Sequence, residues 1–365
     1  MSDAQFDLII AGGSVRAACQ AAHAAGLRVA AIDLFADVDT SWYADEVIQL
    51  DRAGYPDNLL PALDRFDHSI PLMYTGGLEN NPDLIQRINA KRPVWGNGSN
   101  TLRRVRDPIL LQRALRRAGF PSLKTLSGQQ TPATGIWMRK PLQSVGGIGI
   151  QKVRMPRTKE SQSTDRIYWQ KHLTGNQMSF AFFSTLFSPD KFNLSPRKIS
   201  LQLLGTTESL PTDDFTYQGS LYRHHGMSRE LSREVKRLGR FLQSHFQLTG
   251  FFGIDLIVND RGIFVLEVNP RWTASMELLP QVMRLEGSRT PYSGKQIVYA
   301  TCDMSVPIDW NWTSIDITSL ADLPRPGTQI RSGDPVLTTK AHAATRTQIV
   351  KSLADSCREW EKKWK

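Results

Sequence analysis

The stretch Gly250–Arg271, GFFGIDLIVNDRGIFVLEVNPR, carries the reading of this chain. Phe252 to Val258 and Ile263 to Val268 are apolar strand-forming runs, and Asp260-Arg261-Gly262 between them fits a three-residue hairpin loop with glycine in the left-handed position. Pairing Asn259 with Ile263 sets a register in which Ile257 meets Val265, Asp255 meets Glu267 and Gly253 meets Asn269. Side chains alternate along a strand with a period of two, so Asp255, Glu267 and Asn269 share one face. Directly opposed carboxylates have Cβ atoms about 5 Å apart and repel each other. A cation between them removes the conflict. Two carboxylates and an amide oxygen form a hard oxygen set suited to Mg²⁺, with Mn²⁺ as the alternative. Arg271, just beyond the strand, is placed to contact a phosphate or a carboxylate. A solvent-facing hairpin with scattered charges is the competing picture, but the other strand positions are apolar.

Glu267-Val268-Asn269-Pro270-Arg271, preceded by Asp255 at a twelve-residue interval, resembles the metal and phosphate signature of ATP-grasp enzymes, the superfamily that includes biotin carboxylase and D-alanine ligase. The resemblance implies an α/β and α+β chain in three parts. These are an N-terminal parallel α/β preATP-grasp domain over residues 1–100, an ATP-grasp core of two α+β subdomains over 101–285 with a lid at about 123–175, and a small C-terminal extension over 286–365. ATP and Mg²⁺ are the implied cofactors.

Further parts follow from that resemblance. A strand lysine reaching the ATP phosphates, then a glycine-rich lid, is matched by Trp137-Met138-Arg139-Lys140-Pro141 followed by Ser144, Gly146, Gly147 and Gly149. Glycines let backbone N–H groups approach phosphate closely, and Lys140 supplies a point charge. An adenine hinge is matched by Tyr168 to Gly175, where Gln170 replaces the usual acid and Lys171, His172 and Leu173 follow it. Some members carry another phosphate-contacting lysine ahead of the helix that starts at Asp107. Gly98 stands near that place here, leaving Arg103 or Arg104 as substitutes. The segments Gly12 to Ala17 and Asp33 to Asp37, with Asp39-Thr40, are similar to an uncharacterised branch of predicted ATP-dependent carboligases related to biotin carboxylase.

Outside the hairpin, Asp7 to Ala11, a glycine turn, a helical stretch from Val15 to Ala25 and a strand from Leu27 to Ile32 follow the order of a parallel α/β unit. The adjacent Gly12 and Gly13 lack the GxGxxG spacing of a dinucleotide site, so they predict a tight turn under a helix N-terminus. Asp107-Pro108 predicts a capped helix start. The region from Leu123 to about Leu285 reads as short strands with two helices, of which Ser228 to Phe246 is strongly amphipathic. Met155 to Asp165 reads as a mobile loop, the region after Glu286 as loop-rich, and Arg346 to Lys362 as a closing helix.

The 365 residues carry 40% hydrophobic and 22% charged side chains, an ordinary balance for a folded protein. No apolar run approaches the roughly 18 to 20 residues of a membrane span, and the first residues lack a signal-peptide pattern, so a cytoplasmic location is expected. Cys19, Cys302 and Cys357 form neither a CxxC pair nor a disulfide framework. The net charge of +10 attracts anions without choosing among them; nucleic acid is not the expected partner, and an oligomer stays open.

The expected activity is an ADP-forming ligase. ATP phosphorylates a small-molecule carboxylate, and an amine or other nucleophile displaces the phosphate, with Lys140 and Arg271 as the catalytic charges. Arg16, Arg223 and Arg271 are candidates for anion contact. The alternatives are a nucleotide-binding protein without turnover, motivated by Gly98, and a ligase that modifies a macromolecule guided by the basic helix containing Arg113, Arg116 and Arg117.

Overall fold

The computed structural model describes residues 5–155, 166–187, 198–212, 214–224, 226–284, 290–314 and 318–364. The opening apolar run forms β1 (Leu8–Gly12), buried at every position. Strands covered on both faces require such continuous apolar runs rather than alternation. The glycine turn leads into α1 (Arg16–Ala24), followed by β2 (Val29–Asp33), β3 (Glu46–Gln49), α2 (Leu59–Leu63) and β4 (Leu72–Tyr74). These strands make a parallel sheet in the order β3-β2-β1-β4. Its carboxyl edge, where α1 begins, is the edge at which open α/β sheets place ligands. Gly12 is required there, with φ at +159°, because a Cβ would fall 2.0 Å from Thr75 Oγ1. Helices α3 (Pro82–Asn89), α4 (Ser99–Val105) and α5 (Pro108–Arg117) lead away from the sheet. Asp107 caps α5 as its sequence predicts, Oδ1 accepting from the Ile109 and Leu110 N–H groups at 2.8 and 2.9 Å.

The next unit is an antiparallel sheet of β5 (Thr125–Ser127), β6 (Gly135–Pro141), β7 (Gln151–Met155) and β8 (Ile167–Lys171), ordered β5-β8-β6-β7. Trp137, Val153, Met155, Ile167 and Trp169 form its own small core. Of the loop expected over Met155 to Asp165, residues 156–165 lie outside the described residues.

The largest sheet holds the hairpin. β9 (Asn176–Phe187), β10 (Lys198–Ser209) and β11 (Gly219–Arg223) are followed by α6 (Arg229–Phe246), then β12 (Gly250–Asn259), β13 (Gly262–Asn269), α7 (Pro280–Met283) and β14 (Tyr292–Tyr299). At 12 residues each, β9 and β10 are longer than the short strands expected there. α6 buries Val235, Leu238, Leu242 and Phe246 against β9 and β12, each burial contributing about 1.5–3 kcal/mol. Gly239 lets the helix approach closely, since a Cβ there would meet the Phe182 ring at 2.5 Å. The C-terminal region is more ordered than its loop-rich composition suggests. β15 (Met304–Ser305) pairs with β17 (Gln329–Ile330), while β16 (Leu320–Ala321) and β18 (Pro335–Ala343) join the main sheet, whose order is β13-β12-β9-β10-β11-β14-β18-β16. α8 (Arg346–Lys363) packs Ile349 and Leu353 beside Leu221. Among the described residues no helix is long and apolar enough to cross a membrane, and the three cysteines are unpaired thiols.

In the hairpin, Asp255 pairs with Glu267 and Gly253 with Asn269, as the register argument requires, but by a different route. The loop holds two residues, not three: Asn259 pairs with Gly262 and Ile257 with Phe264. Asn259 Oδ1 accepts from the Arg261 N–H at 3.0 Å, which tightens the turn, and Gly262 takes a φ of +118°. That shifts the strands by one residue. An irregularity between Asp255 and Leu256 leaves Leu266 as the extra residue on β13 and restores the expected pairs.

Candidate active site

The three sheets enclose a cavity of about 1560 Å³. Asp255, Glu267 and Asn269 all line it. Asp255 Oδ1 accepts from Ser179 Oγ on the neighbouring β9, and Oδ2 accepts from Asn269 Nδ2 at 2.8 Å. Glu267 is more open, with 44% of its side chain accessible and Arg106 Nη1 4.0 Å from its Oε2. Burial, then the Glu267 charge, push the Asp255 carboxyl up to about 7. Burial opposes ionisation of Glu267 too, but Lys140, Arg106 and Arg271 outweigh it and hold that carboxyl below its ordinary range. Gly253, opposite Asn269, is needed for space: a Cβ would come 2.9 Å from Thr273 Cγ2.

The donor set fits a hard cation. Two opposed carboxylates, one pushed to hold a proton by the other, are relieved by a divalent ion, and their number and type suit Mg²⁺. The Asn269 amide is oriented with its nitrogen toward Asp255 and its oxygen 3.4 Å from Arg271 Nη2. Half a turn of the amide presents oxygen to the carboxylates instead.

Lys140 reaches the same cavity from β6. It is 8% exposed, and its Nζ donates to Gln170 Oε1 at 2.8 Å. Desolvation lowers its pKa, while Glu267 and Asp255 act the other way. Gln170 uses both ends of its amide, since Nε2 donates to the Leu266 carbonyl at 3.2 Å, at the irregularity of β13. A neutral partner leaves the Lys140 charge to the carboxylates and to any incoming phosphate. The N–H groups of Lys171 and His172 are occupied by the carbonyls of Lys124 and Ile136 at 2.8 and 3.2 Å. The next N–H along, that of Leu173, has no such partner among the described residues. Met138, Ile150, Ile257 and Leu266 supply apolar walls nearby. In the glycine loop, Ser144 Oγ donates to the Ile148 carbonyl at 2.7 Å and the Gly146 carbonyl accepts from the Tyr217 N–H at 2.8 Å. Gly147, at φ +80°, lies so close that a Cβ would be 1.9 Å from the Phe215 carbonyl oxygen.

The arginines divide differently from expectation. Arg271 lines the cavity, with Nε on Glu79 Oε1 at 2.6 Å and Nη1 on the Trp272 carbonyl at 2.9 Å. Neither Arg103 nor Arg104 substitutes for the missing lysine: Arg103 pairs with exposed Asp83, and Arg104 donates to the His245 carbonyl over the Phe246 ring. Arg106 faces Glu267 instead, its Nη2 fixed by Asn80 Oδ1 at 2.6 Å. Arg16 is not free for an anion, because it is buried among Asp322 (3.0 Å), Glu277 (2.5 Å) and Asp39 (3.5 Å). Arg223 lies at an exposed strand end over the Tyr292 ring and does not line the cavity.

Three residues that the sequence did not single out hold this geometry. Glu79, with no exposed side-chain surface, orients Arg271 and accepts from the Gly77 N–H at 2.6 Å. Asn97, fully buried, donates to the Thr249 and Pro270 carbonyls at 2.9 and 3.0 Å and accepts from the Thr249 N–H, tying the parallel sheet to both ends of the hairpin. Ser179 caps Asp255. The available signals were weak: a buried-type asparagine between two glycines, and a glutamate just after Gly76-Gly77.

Residues 105–275 match the family model for the ATP-grasp domain. The matched segment is a little under half of the chain and contains Lys140, the glycine loop and the hairpin, so this part of the chain is similar to an ATP-grasp domain. An uncharacterised protein of Methanocaldococcus jannaschii is 21% identical over 356 residues, covering 88% of this chain and 86% of that one. Among solved structures, N5-carboxyaminoimidazole synthetase from Staphylococcus aureus, complexed with ADP, superimposes with a TM-score of 0.67 at 13% identity, covering 96% of each chain. Pyruvate carboxylase from Rhizobium etli gives a TM-score of 0.68 at 14% identity; 96% of this chain is covered, but it spans only 37% of that enzyme's length.

Proposed function

We propose that the protein is an ADP-forming ligase that activates a small-molecule carboxylate as an acyl phosphate for attack by an amine or another nucleophile. The observation that carries this is the convergence, in one cavity, of Asp255, Glu267 and Asn269 with Lys140 and Arg271, with Arg106 4.0 Å from Glu267 beside it. Asp255, Glu267 and Asn269 would hold Mg²⁺, which supplies charge neutralisation to the nucleotide phosphates when bound. Lys140 and the loop of Ser144, Gly146, Gly147 and Gly149 would supply the cation and N–H donors that phosphate oxygens need, a reading supported by Lys140, Gly146 and Gly147 lining the cavity. Arg271, clamped by Glu79, is positioned to orient a carboxylate or phosphate without losing its charge. No side chain needs to act as nucleophile, because placement and electrostatics carry this chemistry. Arg106, 4.0 Å from Glu267, adds a cation beside the candidate metal face, which supports turnover over the binding-only alternative.

The test is ADP release against pools of carboxylates and amines. Glu267→Gln should lower turnover by at least about 100-fold, the scale on which loss of one preorganised charge-stabilising group acts, with thermal unfolding unchanged. Retained turnover in that variant would reject the metal assignment. Tight MgATP binding with no turnover on any pool would favour the binding module.

A further inference from the structure

Beyond Arg271 the cavity continues to the carboxyl edge of the parallel sheet, where Gly13, Phe35, Asp37, Arg52, Lys295 and Asp322 line it. Three cations that line this end, Arg16, Arg52 and Lys295, are already committed within the protein. Arg52 pairs with Asp334 at 2.5 Å, Lys295 with Glu277 at 2.7 Å, and Arg16 with three carboxylates. Most of the acids are committed as well. Asp39 accepts from the Asp322 and Leu323 N–H groups at 2.9 and 2.8 Å, and Asp322 is held by Arg16 and by Thr338 Oγ1 at 2.6 Å.

Asp37 is the exception. It is 6% exposed, it lines the cavity, and no hydrogen bond or ion pair reaches its carboxyl among the described residues. Nearby Asp33 leaves Oδ2 buried without a partner. Buried carboxyls are normally paired, so one that opens onto a cavity marks where a ligand donor completes the site. Counting the groups that act on one another here, Asp33, Asp37, Asp39, Asp322 and Glu277 stand against Arg16, Lys295 and Lys340, an excess of negative charge. This lining offers an anion no free cation, because Arg16, Arg52 and Lys295 are all paired. A divalent metal needs several oxygen ligands, whereas Asp39 and Asp322 are already held by N–H donors, Arg16 and Thr338, which leaves only Asp37 and one oxygen of Asp33. An ammonium group needs only one carboxylate and brings its own donors.

We propose that this end of the cleft binds the second substrate of the ligation through an ammonium group held by Asp37, the attacking atom being a different, uncharged group of the same molecule, so that the second substrate is a bifunctional cationic amine. The inference rests on the ligase function proposed above, because it assigns that reaction's second substrate. Burial, followed by the charges of Asp322, Asp33 and Asp39, pushes the Asp37 carboxyl up, and an arriving ammonium is what stabilises its charged form.

The test is calorimetric titration of the full chain with 1,4-diaminobutane, with 1,4-butanediol and succinate as uncharged and oppositely charged comparators, and separately with MgADP. The wild type should bind the diamine saturably and both comparators at least about tenfold more weakly. Asp37→Asn should weaken the diamine by at least about tenfold, the scale of one charged hydrogen bond, and leave MgADP affinity unchanged. No saturable diamine binding, tighter binding of succinate, or equal diamine affinity in Asp37→Asn would each overturn the proposal. If Asp37→Asn also loses MgADP binding, Asp37→Glu decides: diamine binding restored supports the proposal and its absence overturns it. Failure of the wild type to bind MgADP while the diamine binds through Asp37 would remove the ligase function and leave the amine site standing.

Discussion

Replacing Glu277 by Gln tests whether the buried charge network at the junction of the sheets is held by pairing. Glu277 is 6% exposed and accepts from Arg16 Nη2 at 2.5 Å and Lys295 Nζ at 2.7 Å. When Glu277 becomes neutral, Arg16 keeps Asp322 and Asp39, but Lys295 has no other ion-pair partner among the described residues. The cost is therefore that of an ammonium left buried and uncompensated, about 3–5 kcal/mol. The glutamine oxygen still accepts one bond, which places the effect near about 3 kcal/mol. With a urea slope of about 3 kcal/mol per M, the unfolding midpoint should fall by about 1 M. Adding Lys295→Met removes the orphaned charge, so the double variant should recover about 2 kcal/mol relative to the sum of the single variants. Unfolding followed by tryptophan fluorescence measures all four corners of the cycle. A Glu277→Gln midpoint within about 0.2 M of wild type, or strictly additive variants, would refute the reasoning. The pH dependence gives an independent check. Burial opposes ionisation of Glu277, but Arg16 and Lys295 outweigh it and hold its carboxyl well below the ordinary range. A depressed carboxyl contributes stability that is fully present above its unfolded value and is lost as pH falls through its folded one. The gap between wild type and variant should thus hold at neutral pH and close only below about pH 4.

Two further outcomes concern the metal face. Arg106→Met should weaken MgADP binding by about tenfold in calorimetry, whereas Arg103→Met and Arg104→Met, whose side chains bond elsewhere, should leave it unchanged. Asp255 holds its proton up to about 7 because of burial and Glu267, so the metal-free protein should lose thermal stability as pH rises from about 4 through about 7, while Mg²⁺ affinity rises over the same window as the ion displaces the proton; Asp255→Asn should make that slope shallower, the raised Asp33, Asp37 and Asp39 carboxyls supplying the rest.

The trio on the hairpin was legible because a period-two pattern is local. Only the parity between Asp255 and Glu267 mattered, and apolar positions on the other face marked it. The route was not legible. Leu266 looks like any other apolar strand residue, and whether it continues the ladder or is left over depends on where Asn259 closes the turn. A shorter loop and an extra strand residue offset each other, so Asp255 still meets Glu267 and Gly253 still meets Asn269, by a route the pattern does not contain.

The arginines show where sequence reasoning stops. Arg16, Arg104 and Arg106 are the same residue type, each next to a helix boundary, yet one is neutralised in the interior, one covers an aromatic ring at the surface and one faces the candidate metal site. Their fates are set by partners far along the chain: Asp322 and Glu277 for Arg16, the His245 carbonyl for Arg104, and Asn80 for Arg106. A guanidinium bonds whatever planar acceptor the fold brings to it. That makes the acids the better guide to this cleft. Glu79, Glu277 and Asp322 each meet a cation, and Asp37 does not. The proposed acceptor end therefore rests on Asp37, a buried carboxyl that opens onto the cavity and meets no cation among the described residues, a property that exists only once distant segments are in place.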